Sequence, residues 1–269
     1  RRAGIFFQKY LAQLIDKPIF SPDILTVNDC FFNASQWQVS DRTGSLFLLY
    51  RIYRELSHSD ETFDSFMYWG EMLLADFNDV DKYRVEVKQI FTNVTELNEI
   101  GLIFNVFTPE QVEAIRHFWA HFVPVVEGKT KEDFIAAWRI LLPLYEQFRK
   151  ELLEKNSATE GMIFRDVADR LKAKEDIDFF EGKNFVFVGF NALNPCERTL
   201  FAELQKRGQA DFYWDYEAAE LRDPDNQASR FYAENIHLFA SRFSIEMSPE
   251  SLKEKDFELI AIPSAVGQA

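Results

Sequence analysis

Gly128-Lys129-Thr130 has the residues with which a phosphate-binding loop ends, so it is the first place where this sequence could do chemistry. Such a loop needs an earlier glycine where this chain has Val123. The stretch Val123-Pro124-Val125-Val126 cannot turn a ring of backbone N–H groups onto phosphate. Thr130 as a helix cap accounts for the tripeptide without a nucleotide. A nucleotide motor also needs a carboxylate at the end of an apolar strand to hold Mg²⁺. The best candidate strand ends Phe187-Val188-Gly189-Phe190 and carries none, which leaves Asp215, at the end of Asp211-Phe212-Tyr213-Trp214-Asp215, as the candidate metal carboxylate. A PD-(D/E)XK nuclease site brings two acids and a lysine onto Mg²⁺. Pro22-Asp23 offers the dipeptide. However, Glu86-Val87-Lys88, Glu127-Gly128-Lys129 and Glu181-Gly182-Lys183 are scattered, and the last two place Gly where a catalytic strand is needed.

Three further groups carry residue types that can ligate a metal. Asp76, Asp79 and Asp81 form the densest acidic cluster, but Val80 and Asp81 stand where a calcium loop needs an oxygen ligand and then Gly. The segment reads instead as the end of a helix carrying Phe66, Trp69, Leu73 and Leu74, with the acids capping the next turn. His117 and His121 share a helix face at i,i+4 spacing, but His-Phe-Trp-Ala-His has no acid between them, so a solvated helix face is the reading. Cys30 and Cys196 are too few and too far apart for a disulfide scaffold or a zinc cluster.

The elements that must position these residues can be read from periodicity. Residues 3–15 place Phe6, Phe7, Tyr10, Leu11 and Leu14 on one helical stripe. Ile24-Leu25-Thr26-Val27 reads as a short buried strand, after which Asn28 or Asp29 caps a helix. Leu46, Leu49, Tyr50, Tyr53 and Leu56 predict a helix over 45–56. Thr108-Pro109-Glu110-Gln111 is a capping box with Pro at the first helical position. From near Thr130, Phe134, Trp138, Leu141, Tyr145, Phe148 and Leu152 form a continuous seam, with Pro143 inside it to kink or divide the helix. After residue 180 the pattern changes. Asn184–Phe190 is a near-continuous apolar run, as a buried parallel strand requires. Asn194, Pro195 and Glu197 open a helix that Gly208 ends, and a second strand follows over 211–215. A last strand is predicted over 257–263.

Composition bounds the function classes. The chain has 269 residues, 47% hydrophobic with 28 Phe, enough for a buried core and against disorder. A net charge of −14 counts against a free-standing nucleic-acid module with a basic face, but it leaves room for a local basic channel or contact through a basic partner. No apolar run reaches the roughly 20 residues of a membrane span. The opening Arg-Arg-Ala-Gly-Ile-Phe-Phe has no signal-peptide pattern, and both ends look cut. The expectation is a piece of a longer cytoplasmic protein.

Four separated stretches then carry a resemblance. Trp69-Gly70-Glu71-Met72-Leu73-Leu74-Ala75-Asp76-Phe77-Asn78-Asp79-Val80-Asp81-Lys82 resembles the N-terminal region of large bacterial proteins of the PD-(D/E)XK nuclease family, similar to AddB. Arg1-Arg2-Ala3-Gly4 with Phe6-Phe7 and Tyr10-Leu11 looks like the tail of that group's first strand and its following helix. Phe187-Val188-Gly189-Phe190-Asn191 through Pro195 and Glu197 is similar to a strand ending in Asp-Gly-Phe before a Pro-Glu helix start, and Phe212-Tyr213-Trp214-Asp215 resembles the next strand. The likeness covers roughly residues 1–235, and Val188 departs from it where AddB sequences have Asp.

The resemblance implies an α/β fold. A RecA-like, P-loop-NTPase-like parallel sheet domain (residues 1–40 plus 176–269) would carry a large all-helical insertion (41–175), as in the 1A/1B arrangement of superfamily 1 helicases. It also implies an ATPase-silent scaffold and DNA-binding region of an exonuclease subunit in double-strand-break repair, with an AddA-like helicase–nuclease subunit as partner and double-stranded DNA ends as the substrate of the complex. Mg²⁺ and ATP would belong to that complex, and no cofactor to this chain. Arg1 and Arg2, at a strand end and a helix start, are the candidate phosphate contacts. Two alternatives stay open: a helical interaction module unrelated to DNA, and an ATPase or nuclease whose residues converge only in space.

Overall fold

The computed structural model describes residues 2–88, 131–214 and 230–241. Those residues form a helix-rich mixed α/β chain with two small parallel sheets, each of two strands among the described residues. Contacts divide the chain into two compact units. The first comprises Arg1–Lys183 with Asn194–Glu203, and the second Asn184–Leu193 with Leu204–Ala269.

The first unit is built on helices. Its order is α1 (Arg2–Leu14), α2 (Val27–Ala34), β1 (Gln38–Val39), α3 (Arg42–Ser57), α4 (Phe63–Lys82), α5 (Lys131–Glu154), β2 (Ser157–Ala158) and α6 (Glu160–Lys172). Most starts have a visible cause. Asp41, Thr62 and Thr159 each accept a backbone N–H of the first turn, and Thr26 and Asp29 close a reciprocal capping box at α2. That box corrects two expectations. Residues 24–27 form no strand, and Ile24 and Leu25 are exposed, because Thr26 is the N-cap and Val27 already the first residue of the helix. Asp29 is the third residue of that helix and answers the cap. The helix predicted from the seam runs through Pro143 undivided, with Leu141, Tyr145, Phe148 and Leu152 buried.

The core of this unit lies where α4 meets α6 and α3 meets α4 and α5. Phe31 of α2 stacks on Phe164 of α6, with ring centroids 3.9 Å apart. Phe77 meets Tyr145 edge-on at 5.0 Å, and Tyr53, Phe66 and Trp69 form an aromatic cluster between α3 and α4. The stripe on α1 has no such role. Ile5, Phe6, Tyr10 and Leu14 are more than half exposed, so the helix is as expected and its stripe faces outward.

In the second unit, β3 (Phe185–Val188) pairs in parallel with β4 (Ala210–Tyr213), Phe187 opposite Phe212. The parallel pairing is the one expected. The burial is not: Phe187 is buried, whereas Val186 and Val188 are half-exposed. Among the described residues only one face of the two-stranded sheet is packed, the face that carries Phe187 and Phe212. Helix α7 (Pro195–Lys206) lies between the strands in sequence, and the division between the units falls within it. Its predicted start is observed: Asn194 and Glu197 exchange backbone-to-side-chain hydrogen bonds of 2.9 Å each. Gly208 follows it with φ +69°, the left-handed turn that ends the helix. Helix α8 (Arg230–Leu238) completes the described elements. Trp214 donates its indole N–H to the Phe239 carbonyl at 2.7 Å, and Phe212 packs on Phe239.

Gly161 marks the closest approach of α4 and α6. Its N–H donates to Asn78 Oδ1 at 2.7 Å, and a Cβ placed there would lie 2.7 Å from the Asn78 Cα. That neighbour is backbone inside a helix and cannot give way. Gly161→Ala is therefore expected to lower stability by about 1–3 kcal/mol, read as a lower urea midpoint with an unchanged denaturant slope.

Candidate functional site

The most unusual side chain in the described chain is Asp81. It occupies the last turn of α4, in step with Phe66, Gly70, Leu73 and Phe77 along the buried stripe, and it is 1% exposed. A carboxylate there is opposed twice, by the loss of water and by the carbonyl dipoles that gather at a helix C-terminus. Three groups from two other helices answer it. Tyr145 of α5 donates its hydroxyl to Asp81 Oδ1 at 2.6 Å. Arg149, one turn further along α5, donates Nη1 to the same oxygen, and Arg165 of α6 brings Nη1 to 3.5 Å.

The network extends outward in good order. Arg149 Nη1 lies 3.1 Å from the Tyr145 hydroxyl, and Arg165 donates to the Val85 carbonyl at 3.1 Å. Lys82 pairs with Glu160, and Arg84 pairs with Asp169 while donating to Thr199 Oγ1 at 3.1 Å. Burial, and then the neighbouring Asp81 charge, push the Tyr145 phenol well above its ordinary value, so it stays a proton donor to the carboxylate. Cys196 points its thiol at the Asp81 backbone carbonyl, 3.7 Å away, and burial pushes it up to about 12. Cys30 is likewise pushed up to about 11 by burial. Neither thiol is a nucleophile near neutral pH.

On its solvent side the cluster opens into a shallow hollow of about 540 Å³, lined by Lys88, Arg149, Lys150 and Arg165 together with Glu86 and Glu146. This arrangement can hold an anion. Among the described residues His, Cys, Asp and Glu do not gather into a metal-holding group of three or more.

The residues singled out from sequence fare differently. Arg1 and Asp215 lie outside the described residues, as do Gly128-Lys129-Thr130, the His117–His121 pair, Glu127-Gly128-Lys129, the Thr108 capping box and the strand expected over 257–263. Arg2 is the first residue of α1, remote in sequence from every residue of the hollow. Asp76, Asp79 and Asp81 do end the helix carrying Phe66, but they do not cap a following turn: α4 continues to Lys82, and Asp81 is a core ion. Glu86-Val87-Lys88 lines the hollow, and Glu181-Gly182-Lys183 forms a turn with Gly182 at φ +63°. Tyr145 was read only as a seam residue, and Arg149 and Arg165 were missed. The available signal was Asp81 itself, an acid at a stripe position that an apolar residue should occupy. Among the described residues no helix is long and apolar enough to cross a membrane.

Removing the buried acid leaves two largely buried guanidiniums and a tyrosine hydroxyl without their shared acceptor. Asp81→Ala is expected to lose about 3–5 kcal/mol, and Tyr145→Phe, which keeps the ion pair, about 1–3 kcal/mol, both by denaturant unfolding. The thiol shifts are upward, so folding holds both protons more tightly than the unfolded chain does. That contribution is complete below the ordinary thiol range and disappears as pH rises toward about 11 and 12. At pH 8 alkylation of the native chain should be at least about a hundredfold slower than in urea, and equal rates would contradict the burial. No protein-family model, no curated protein and no solved structure matches this chain.

Proposed function

We propose that this chain is the N-terminal, helicase-like and ATPase-silent scaffold of an AddB-type subunit, contacting DNA within an exonuclease complex that processes double-strand breaks. The observation that carries the reading is the parallel β3–β4 pair with the capped helix α7 between its strands in sequence. This is the local arrangement a RecA-like sheet would use, and the order of Phe187-Val188-Gly189-Phe190 and Phe212-Tyr213-Trp214 matches the resemblance. Val188-Gly189 ends the strand where a motor would place the Mg²⁺ carboxylate, which supports a silent subunit. In this reading an AddA-like partner supplies the ATP-driven unwinding, and the helical layers of the first unit serve as a rigid support beside the DNA.

A second reading, a helical interaction module unrelated to DNA, is favoured by one observation: the apolar stripe of α1 is exposed, with Leu14 at 80%. DNA affinity separates the two. On the first reading the purified chain binds a blunt duplex of random sequence with an affinity that falls steeply as salt rises, and adding DNA elicits no ATP turnover. ATP hydrolysis that survives repurification and vanishes in Asp215→Ala would overturn the silent-scaffold reading.

A further inference from the structure

The hollow beside Asp81 has a use that the ion cluster alone does not explain. Asp81 is one carboxylate facing two guanidiniums, and the other acid beside them among the described residues, Asp169 at 4.0 Å from Arg165 Nε, is also engaged by Arg84. Arg149 spends Nη1 on Asp81 and Tyr145, and its Nε and Nη2 take no partner among the described residues. Arg165 is similar: Nη1 serves Asp81 and the Val85 carbonyl, Nε lies 4.0 Å from Asp169, and Nη2 takes no partner among the described residues. Both side chains are about four-fifths to three-quarters buried, and both line the hollow.

These are guanidiniums fixed in place before any ligand arrives. Holding an arginine fork still normally costs side-chain entropy when a ligand binds. Here the buried carboxylate, the tyrosine hydroxyl and a backbone carbonyl have already ordered it. Lys88 and Lys150 add two exposed ammonium groups at the rim, Lys150 lying 3.9 Å from Glu154, and the carboxylates Glu86 and Glu146 share the lining.

From this we infer that the hollow is a seat for the phosphodiester backbone of DNA, with Arg149 and Arg165 as the fixed forks and Lys88 and Lys150 as the outer contacts. The inference rests on the DNA-contacting part of the proposed function and gives it a location. A planar guanidinium fork matches the paired oxygens of a phosphate. The open, shallow form of the hollow suits a polymer lying across it better than a small molecule enclosed within it. The contact reads no bases, so it positions DNA without sequence preference.

The test spares the clamp. Lys88→Gln/Lys150→Gln alters two exposed residues that do not touch Asp81, and its thermal midpoint should match that of the unaltered chain. With a fluorescent blunt duplex of random sequence, the double variant is expected to bind about tenfold more weakly and to lose about two from the slope of log affinity against log salt. If the unaltered chain shows salt-dependent binding and the double variant matches it in affinity and slope, the seat is elsewhere and the functional reading stands. If the unaltered chain shows no salt-dependent DNA binding, the DNA-contacting reading falls and the seat with it. Polyglutamate of matched charge is the control for an acidic protein ligand: weaker binding of polyglutamate alone, with DNA binding unchanged, would also overturn the inference.

Discussion

The described part of the first unit depends on how a buried negative charge at the wrong end of a helix is made tolerable. Asp81 sits in the last turn of α4, where the carbonyl dipoles already concentrate negative potential, and it is shut off from water. The cation that α4 carries beside it, Lys82, pairs with Glu160 instead. Compensation comes from α5 through Tyr145 and Arg149, which are four residues apart and so on one face, and from α6 through Arg165. Each of the three helices is therefore acceptable in its place only when the other two are present. An apolar cluster would stabilise the same junction without fixing which residues meet. The ion cluster instead penalises every register in which the carboxylate goes unanswered, a role in specificity that buried polar groups can play even where their net stabilisation is small.

The chain just beyond Asp81 follows from the same constraint. Arg84 adopts φ +55°, and the N–H groups of Arg84 and Val85 return to the Asp81 and Val80 carbonyls. That is the double bond of a left-handed helix end, a position glycine fills more easily. Arginine in that conformation is strained by about 1–2 kcal/mol, and its side chain offsets the strain by reaching Asp169 on α6 and Thr199 on α7. His58, Asn156 and Lys174 adopt the same handedness just past the ends of α3, α5 and α6. The described helices of this unit thus mostly end on residues with side chains, and a search for glycine would find none of these ends.

That explains much of what the sequence could and could not convey. The helices were legible from an apolar stripe, Leu46 through Leu56 in α3 and the Tyr145–Leu152 seam in α5, and from a stripe together with its cap, Asn194 with Glu197, at α7. The parallel pairing of β3 and β4 was legible from two apolar runs separated by one helix. Periodicity carries no information about the partner of a stripe, and the α1 stripe, helical as the spacing predicts, is exposed. Ile24–Val27 shows a competing principle at work, since β-branched residues suggested a strand but Thr26 and Asp29 could close a capping box, and the box prevailed. The site was the least legible part. Asp81 was grouped with Asp76 and Asp79 by composition, whereas its position relative to Leu73 and Phe77 was the informative property.

The two faces of Arg149 and Arg165 connect stability with binding. Toward the core, each guanidinium neutralises Asp81. Toward the hollow, the remaining N–H groups keep the geometry that this neutralisation imposes. A cation locked by a buried partner has less freedom left to lose when a second anion approaches, so part of the ordering that binding requires has been completed by folding. The two demands also limit each other. A further carboxylate added against the guanidiniums would firm the clamp and silence the hollow, while removing Asp81 would free the guanidiniums and leave them disordered. Asp81 holds both forks from the core side, and Asp169, the nearer acid to Arg165 Nε at 4.0 Å, is shared with Arg84.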